Sequence, residues 1–232
     1  MTDVPPLDTT LRWWADGERT VTDLLAGLTD DDLAAPSALP GWSRATVVAH
    51  LARNADALHN LVTWARTGVE TPMYPSQEAR DAGIAETAAL PPAQLRADVA
   101  AAVARFAEAV DTMPDQAWTA VVRTRMNRPI PATELPWMRA KEVWVHAVDL
   151  RAGLTFADLA PDFCVVLVDE VVATFAGRGE APDATVTATD VDRTWGSGAA
   201  PVRGPVRAIA AWLTRGDASG LTGDAPELPA WL

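Results

Sequence analysis

The spacing of the apolar residues changes at Gly153, and this change constrains the fold more than any other feature of the sequence. Before Gly153, long segments carry apolar side chains at intervals of three and four residues, which is the helical spacing. After it, residues 184–190 alternate between small apolar and polar side chains, as a strand does. We therefore predict an α+β protein with an N-terminal four-helix bundle, residues 1–153, and a smaller C-terminal α+β domain, residues 154–232.

Start and stop signals divide these two regions into elements. Ser43 is a good N-cap for a helix that ends at Gly68, and Thr133 is expected to cap the fourth helix, which tolerates Pro136 in its first turn. The proline-rich residues 68–92 are expected to form a long ordered loop with one short helix. The predicted helices are 7–28, 44–66, 93–112, 133–152, 162–176 and 205–214, and the predicted extended segments are 118–130, 184–190, 193–195 and 202–204.

Composition limits the partners of the chain. A net charge of −12 opposes binding to nucleic acid and to anionic membranes, so an anionic substrate needs a local positive site such as a metal or an arginine. The chain has no run of about 18 apolar residues and no signal-peptide pattern, so we expect neither a membrane span nor export. A single cysteine, Cys164, excludes an internal disulfide and favours a cytoplasmic protein.

Glu142 and His146 are the first candidates for chemistry. They are four residues apart on a predicted helix, so both side chains lie on one face, where they interrupt a stripe of apolar residues. Asp149 lies three residues beyond His146 and could orient the second nitrogen of its ring. Taken alone, the pair could also be an ordinary polar pair on a helix surface.

His50 adds a second imidazole on another apolar helix. A buried histidine without a partner is costly, so His50 either is a satisfied core residue, with Asn54 one turn away as a possible partner, or is a ligand. Helical bundles often hold metals between facing helices. Two histidines and one carboxylate would bind Zn²⁺, or another divalent metal, and leave a position open.

The remaining candidates are weaker. His59 follows His50 by nine residues and so points about 180° away from it, which excludes it from the same site. Cys164 has no cysteine or histidine neighbour and is expected to be a core residue. Arg80 in the long loop and Arg215 at a helix end could bind a carboxylate, although either could be a solvated surface charge.

Four stretches of the sequence resemble one known family. Their ranges are 39–44, 48–55, 64–74 with 78–80, and 137–150, and the last, which contains Trp137-Met-Arg and Glu142-Val-Trp-Val-His146, is the most specific. Residues 215–217, Arg-Gly-Asp, and the closing Pro-Ala-Trp-Leu232 also resemble this family. The sequence is similar to the mycothiol-dependent maleylpyruvate isomerases of actinobacteria, which belong to the DinB-like superfamily of metal-binding four-helix bundles.

The resemblance implies a fold, a metal and a reaction. It implies that His50, Glu142 and His146 are zinc ligands, and that a sterol-carrier-like C-terminal domain brings Arg215 to the active site. The implied reaction is a step of gentisate breakdown, in which the mycothiol thiolate adds to maleylpyruvate, the former double bond rotates, and elimination gives fumarylpyruvate. Arg215 and Arg80 would hold a substrate carboxylate or the developing enolate.

Two alternatives remain open from the sequence. The same scaffold could serve a mycothiol S-transferase that detoxifies electrophiles, or a non-catalytic regulator that binds a metal or ligand. In the leading hypothesis the partners are mycothiol and a small anionic substrate, with no nucleic acid and no membrane. We expect the protein to be a cytoplasmic monomer.

Overall fold

A computed structural model describes residues 5–231 of the chain. The chain folds into two compact units, one spanning Pro6–Gly153 and the other containing the residues from Leu154 onward. Helices build the first unit, whereas the second combines two helices with a four-stranded sheet. The predicted α+β class is therefore confirmed. Within residues 5–231, no helix has the length and apolar character needed to cross a membrane.

The first unit is organised around four long helices. Helix α1 packs along α6, while α3 packs against both α5 and α6. A short antiparallel hairpin, β1–β2, precedes α6. The elements of this unit are α1 Leu7–Gly27, α2 Asp30–Ala34, α3 Arg44–Thr67, α4 Gln77–Ala88, α5 Pro92–Asp111, β1 Val121–Arg123, β2 Pro129–Pro131 and α6 Leu135–Asp149.

Helix α3 has the limits that its sequence predicts. The Ser43 hydroxyl accepts a hydrogen bond from the Thr46 amide at 3.1 Å, and Gly68 ends the helix with a φ of 74°, a conformation that glycine adopts without strain. Most of its residues are buried, including His50 and Asn54. The caps therefore fix the register in which α3 presents His50 to the bundle interior.

Helix α6 begins later than predicted. A 3₁₀ turn over Ala132–Glu134 precedes it, and its N-cap, Glu134, makes no side-chain capping bond, so the prediction that Thr133 caps this helix is wrong. The far end is held by Arg44 of α3, which donates to the carbonyls of Leu150 at 2.6 Å and Arg151 at 2.9 Å. This contact ties the C-terminal end of α6 to the beginning of α3.

Two predicted irregular segments contain more structure than expected. The short helix foreseen in the loop is the 12-residue α4, capped by Ser76, and it carries Arg80 in its first turn. Residues Asp115–Thr119 form a 3₁₀ turn, so the extended prediction for 118–130 is wrong at its start and is confirmed for the two strands of the hairpin.

Helices α1 and α6 approach closely at Gly17. A Cβ at this position would overlap the Cγ2 atom of Val143 on α6, so only glycine allows the observed separation. The two helices are also joined by a buried ion pair, in which Arg139 Nε donates to Glu18 Oε1 at 2.6 Å.

The second unit packs helices on a mixed sheet. The strand order is β4-β3-β5-β6; β3 and β5 are parallel, with Val186 opposite Val202, and the other pairs are antiparallel. Helix α8 packs on α7 and against β3 and β5. The elements are α7 Pro161–Arg178, β3 Ala184–Ala188, β4 Thr194–Trp195, β5 Ala200–Gly204, α8 Val206–Arg215 and β6 Thr222–Gly223.

Most predictions for this unit are confirmed. Both helices and three strands lie within a few residues of their predicted limits, and Gly216 ends α8 with a φ of 73°. Cys164 is fully buried in α7, as expected of a core residue. Strand β6 was not foreseen, because two residues are too few to show any periodicity.

Candidate metal centre

Three potential metal ligands come together between α3 and α6. One carboxylate oxygen, Glu142 Oε2, lies 2.9 Å from His50 Nε2 and 3.4 Å from His146 Nε2. One ligand atom from each of the three residues lies within 4.8 Å of the others. The spacing of four residues on α6 places Glu142 and His146 on one face, and the packing of α3 against that face adds His50.

Asp149 fixes the orientation of the His146 ring. Its Oδ2 atom lies 2.7 Å from His146 Nδ1, and its side chain is fully buried one turn further along α6. The ring therefore donates its Nδ1 proton to Asp149 and turns Nε2 toward Glu142. A carboxylate behind a ligating histidine is the usual arrangement at protein metal sites, and the role predicted for Asp149 is confirmed.

The surroundings of His50 differ from the expectation. Asn54 does not serve as its partner: the Asn54 Oδ1 atom accepts a hydrogen bond from Arg139 Nη1 at 2.8 Å. Instead, Arg80 Nη2 of α4 lies 3.4 Å from His50 Nδ1, and the edge of the Trp42 ring packs against the imidazole at 5.7 Å between centroids. The spacing of one helical turn had favoured Asn54 as the partner of His50. The Asn54 side chain instead bonds to Arg139, which is a stronger donor because it is charged.

The charge states of Glu142 and His50 suit metal binding. Burial alone would raise the pKa of Glu142, but hydrogen bonds from His146 and His50 outweigh it and hold that pKa well below its ordinary range. Burial would likewise lower the pKa of His146, but the carboxylates of Asp149 and Glu142 prevail and raise it. At His50 burial prevails and lowers the pKa. The centre thus offers an ionised carboxylate and, at His50, a neutral imidazole at pH 7, the forms in which these groups bind metals.

The donor set fits a catalytic divalent metal. Two imidazoles and one carboxylate are ligands that zinc accepts, and three protein ligands leave a fourth position for another molecule. The side chains of His50 and His146 are 7% and 10% exposed, while that of Glu142 is 18% exposed. The centre is therefore shielded from bulk water but is not sealed from it.

Arg80 and Tyr74 form one border of the centre. The guanidinium of Arg80 lies 6.0 Å from the centroid of the Tyr74 ring and also pairs with Asp81 at 2.8 Å. Burial, followed by the negative charge of Glu142, raises the pKa of the Tyr74 hydroxyl to about 12. Tyr74 was not predicted to lie at the site. The sequence did offer one indication, since Tyr74 is the only tyrosine of the chain and lies between Pro72 and Pro75.

Comparisons with known proteins identify the family. A model of the N-terminal domain of mycothiol maleylpyruvate isomerase matches residues 14–151, which is more than half of the chain. The chain belongs to the mycothiol-dependent maleylpyruvate isomerase family. The resemblance inferred from the sequence motifs is thereby confirmed, and the three clustered donors lie within the residues that the family model matches.

Two solved structures extend the family likeness to the second unit. A crystal structure of a mycothiol-dependent maleylpyruvate isomerase is 34% identical, with a TM-score of 0.93, and covers 98% of each chain. A structure of a histidine-to-alanine variant of such an isomerase is 33% identical, with a TM-score of 0.94 and the same coverage. No curated protein sequence shows significant similarity to the chain.

Two further residues considered in the sequence, His59 and Arg215, lie outside the donor cluster. His59 is half-buried on α3 and is not part of the donor cluster, in agreement with its predicted direction. Arg215 is the last residue of α8, in the second unit, where its Nη1 donates to the Thr214 carbonyl at 2.8 Å. The participation of Arg215 in the active site remains a prediction.

Proposed function

We propose that this protein is a mycothiol-dependent cis–trans isomerase that converts maleylpyruvate to fumarylpyruvate. The observation that carries the proposal is the convergence of one ligand atom each from His50, Glu142 and His146 within 4.8 Å of one another. Support comes also from the solved isomerase structures, because their likeness covers 98% of this chain at about one-third identity. The cytoplasmic location and monomeric state expected from the sequence belong to the same proposal.

In this proposal His50, Glu142 and His146 hold zinc, and Asp149 keeps the His146 ring in place. A zinc ion held there would supply the positive charge that lowers the pKa of a thiol bound as its fourth ligand. The surrounding side chains keep most water away from the reacting sulfur, which strengthens the charge interactions inside the site.

Arg80 is the proposed substrate-binding group of the first unit. Its Nη2 donates to His50 Nδ1, which places the single proton of a neutral His50 ring on Nε2. If Nε2 of His50 held a metal, the ring proton would lie on Nδ1, and Nδ1 could not accept a hydrogen bond from Arg80. Arg80 Nη2 would then be available to a substrate carboxylate, which a guanidinium binds with two parallel hydrogen bonds.

Arg215 is the proposed second anion-binding group. The resemblance assigns it to the substrate carboxylate or to the developing enolate, and a preformed cation at such a position stabilises the charge that develops in the transition state. Arg215 is the last residue of α8, immediately before the C-cap Gly216. The substitution Arg215→Lys retains the charge but loses the paired donors, and should lower kcat for maleylpyruvate.

The decisive experiment is turnover of maleylpyruvate by the zinc-loaded protein with and without mycothiol, following fumarylpyruvate and free thiol together. We expect fumarylpyruvate only with mycothiol, and no net consumption of thiol. The variant His50→Ala should lose zinc and activity, whereas His59→Ala, on the same helix outside the cluster, should keep both. A fully active, zinc-replete His50→Ala protein would refute the assignment, and a stable thiol adduct as product would indicate an S-transferase instead.

A further inference from the structure

A cavity of mixed polar and apolar lining lies in the first unit. It has a volume of about 400 Å³ and is enclosed by the end of α3, the loop that follows it, and the β1–β2 hairpin. Its wall includes Tyr74 and the first residue of α4, Gln77. None of the three metal donors lines it, so it is a separate space that the proposed chemistry does not use.

Tyr74 and Arg80 connect this cavity to the metal centre. The ring of Tyr74 forms part of the cavity wall, Arg80 lies 6.0 Å from the centroid of that ring, and Arg80 Nη2 reaches His50 Nδ1 at 3.4 Å. Only two side chains therefore separate the cavity from a metal ligand. A ligand in the cavity that carries a flexible arm could extend past them to the metal.

The cavity wall offers both hydrogen-bond donors and acceptors. Arg123 and Arg125 of the hairpin contribute donors, Glu70 contributes a carboxylate, and Trp64 provides an aromatic surface. The lining also includes neutral side chains that both donate and accept, among them Gln77, together with apolar residues such as Met73. A site for a simple anion would exclude Glu70, whereas hydroxyl groups, which donate and accept, satisfy both kinds of partner.

The two arginines are held by neutral groups. Arg125 Nη1 donates to Gln77 Oε1 at 2.8 Å, and Arg123 Nη1 donates to the Asn127 carbonyl at 3.2 Å. Arg128, on the same hairpin but outside the cavity wall, instead pairs with the carboxylate of Glu134 at 3.1 Å. The contacts of Arg123 and Arg125 position their guanidinium groups while leaving further donor hydrogens for a ligand.

Exposed apolar side chains mark the same region. Among residues 5–231, the large apolar side chains that stay exposed are Val69, Val121 and Met126, at 67%, 61% and 75%. All three lie in the loop after α3 or in the β1–β2 hairpin, the two segments that border the cavity. These side chains add apolar surface to the segments that border the cavity.

We propose that this cavity binds the sugar part of mycothiol, with the thiol arm extending past Tyr74 and Arg80 to the metal. The proposal rests on the proposed function, since it assigns a subsite to its cofactor. A cavity of about 400 Å³ suits a ligand larger than a small diacid, because pockets for ligands of medium size begin at roughly 300 Å³. The mixture of donors, acceptors and two aromatic rings, those of Trp64 and Tyr74, matches a hydroxyl-rich ring.

The test compares two thiols by calorimetry on the zinc-loaded protein. Mycothiol carries the sugar, and N-acetylcysteine is a small thiol without it. The variant Arg123→Ala/Arg125→Ala should bind mycothiol about tenfold more weakly, since each lost hydrogen-bonding side chain weakens binding several-fold. Its affinity for N-acetylcysteine should not change. The control Arg128→Ala removes a charge from the same hairpin and should leave both affinities within twofold.

A direct measurement on the metal-free protein separates this site from the chemistry. The sugar part of mycothiol without its cysteine should bind to the wild type and to Arg128→Ala, and about tenfold more weakly to the double variant. Unchanged mycothiol affinity in the double variant, or an equal loss for both thiols, would overturn the proposal. Sugar-dependent binding without any isomerisation of maleylpyruvate would support the subsite and contradict the proposed reaction.

Discussion

Replacement of Arg139 by methionine should lower the free energy of unfolding far more than replacement of an exposed arginine. Arg139 is 0% exposed; its Nε donates to Glu18 Oε1 at 2.6 Å, and its Nη1 donates to the Leu51 carbonyl and to Asn54 Oδ1, each at 2.8 Å. The substitution leaves the Glu18 carboxylate buried without its cation. Breaking a buried pair in this way costs about 3–5 kcal/mol, a large share of the roughly 5–15 kcal/mol that stabilises a typical domain.

The assay is urea unfolding of the metal-free protein, followed by the fluorescence of its ten tryptophans. Removal of the metal is essential, because metal binding would add to the apparent stability by mass action. The matched control is Arg105→Met. Arg105 also pairs with a carboxylate at 2.6 Å, that of Asp56, but its side chain is 48% exposed, so its loss should cost less than about 1 kcal/mol.

A second substitution tests the reason for the effect. In Glu18→Gln the amide oxygen can still accept from Trp14 Nε1, which lies 3.1 Å from the glutamate oxygen, while the charge is removed. The double variant Glu18→Gln/Arg139→Met should therefore recover about 2 kcal/mol relative to Arg139→Met alone, a coupling of the size expected for paired residues. Arg139→Met should therefore lower the free energy of unfolding more than Arg105→Met does, and an equal loss would contradict the prediction. Additive effects of Glu18→Gln and Arg139→Met would contradict it as well.

Three further predictions concern other parts of the chain. Asp149→Asn should lower zinc affinity by about 10–100-fold with the fold retained, as judged by metal titration and circular dichroism; unchanged affinity would contradict the orienting role. Gly17→Ala should cost about 1–3 kcal/mol in urea unfolding, because the added Cβ overlaps α6, whereas Gly27→Ala, with open space around it, should be neutral or stabilising. Burial raises the pKa of the Cys164 thiol to about 12, so iodoacetamide at pH 8 should label the unfolded chain but not the native protein; rapid native labelling would exclude this burial.

The fold was predictable where the signals are local. Helix α3 has a side-chain cap at Ser43, a glycine stop at Gly68 and apolar residues at every turn between them, so its limits follow from the sequence. Helix α4 has a weaker pattern, because only Ile84 and Thr87 of its 12 residues are buried. Its surface is otherwise polar, and polar segments between prolines give little indication of a helix.

The proposed metal donors were only partly predictable from residue spacing. Glu142 and His146 are related by one helical turn, which any helix enforces, but His50 lies 92 residues before Glu142 and meets it only through packing of α3 on α6. The buried pair that joins α1 to α6 spans 121 residues and was missed. Its signal was Glu18, which occupies an apolar stripe with Trp14 and Val21 at helical spacing.

Contacts between α3 and α6 on both sides of the centre hold its geometry. Arg139 lies one turn before Glu142 and reaches the carbonyl of Leu51, the neighbour of His50, so it joins α3 and α6 on one side of the donors. Arg44 joins the same helices beyond Asp149, on the other side. The distance between the donors is therefore set by groups that bind no metal. It follows that Arg139→Met should lower both stability and zinc affinity, whereas Asp149→Asn, which affects only the orientation of one ring, should lower zinc affinity alone.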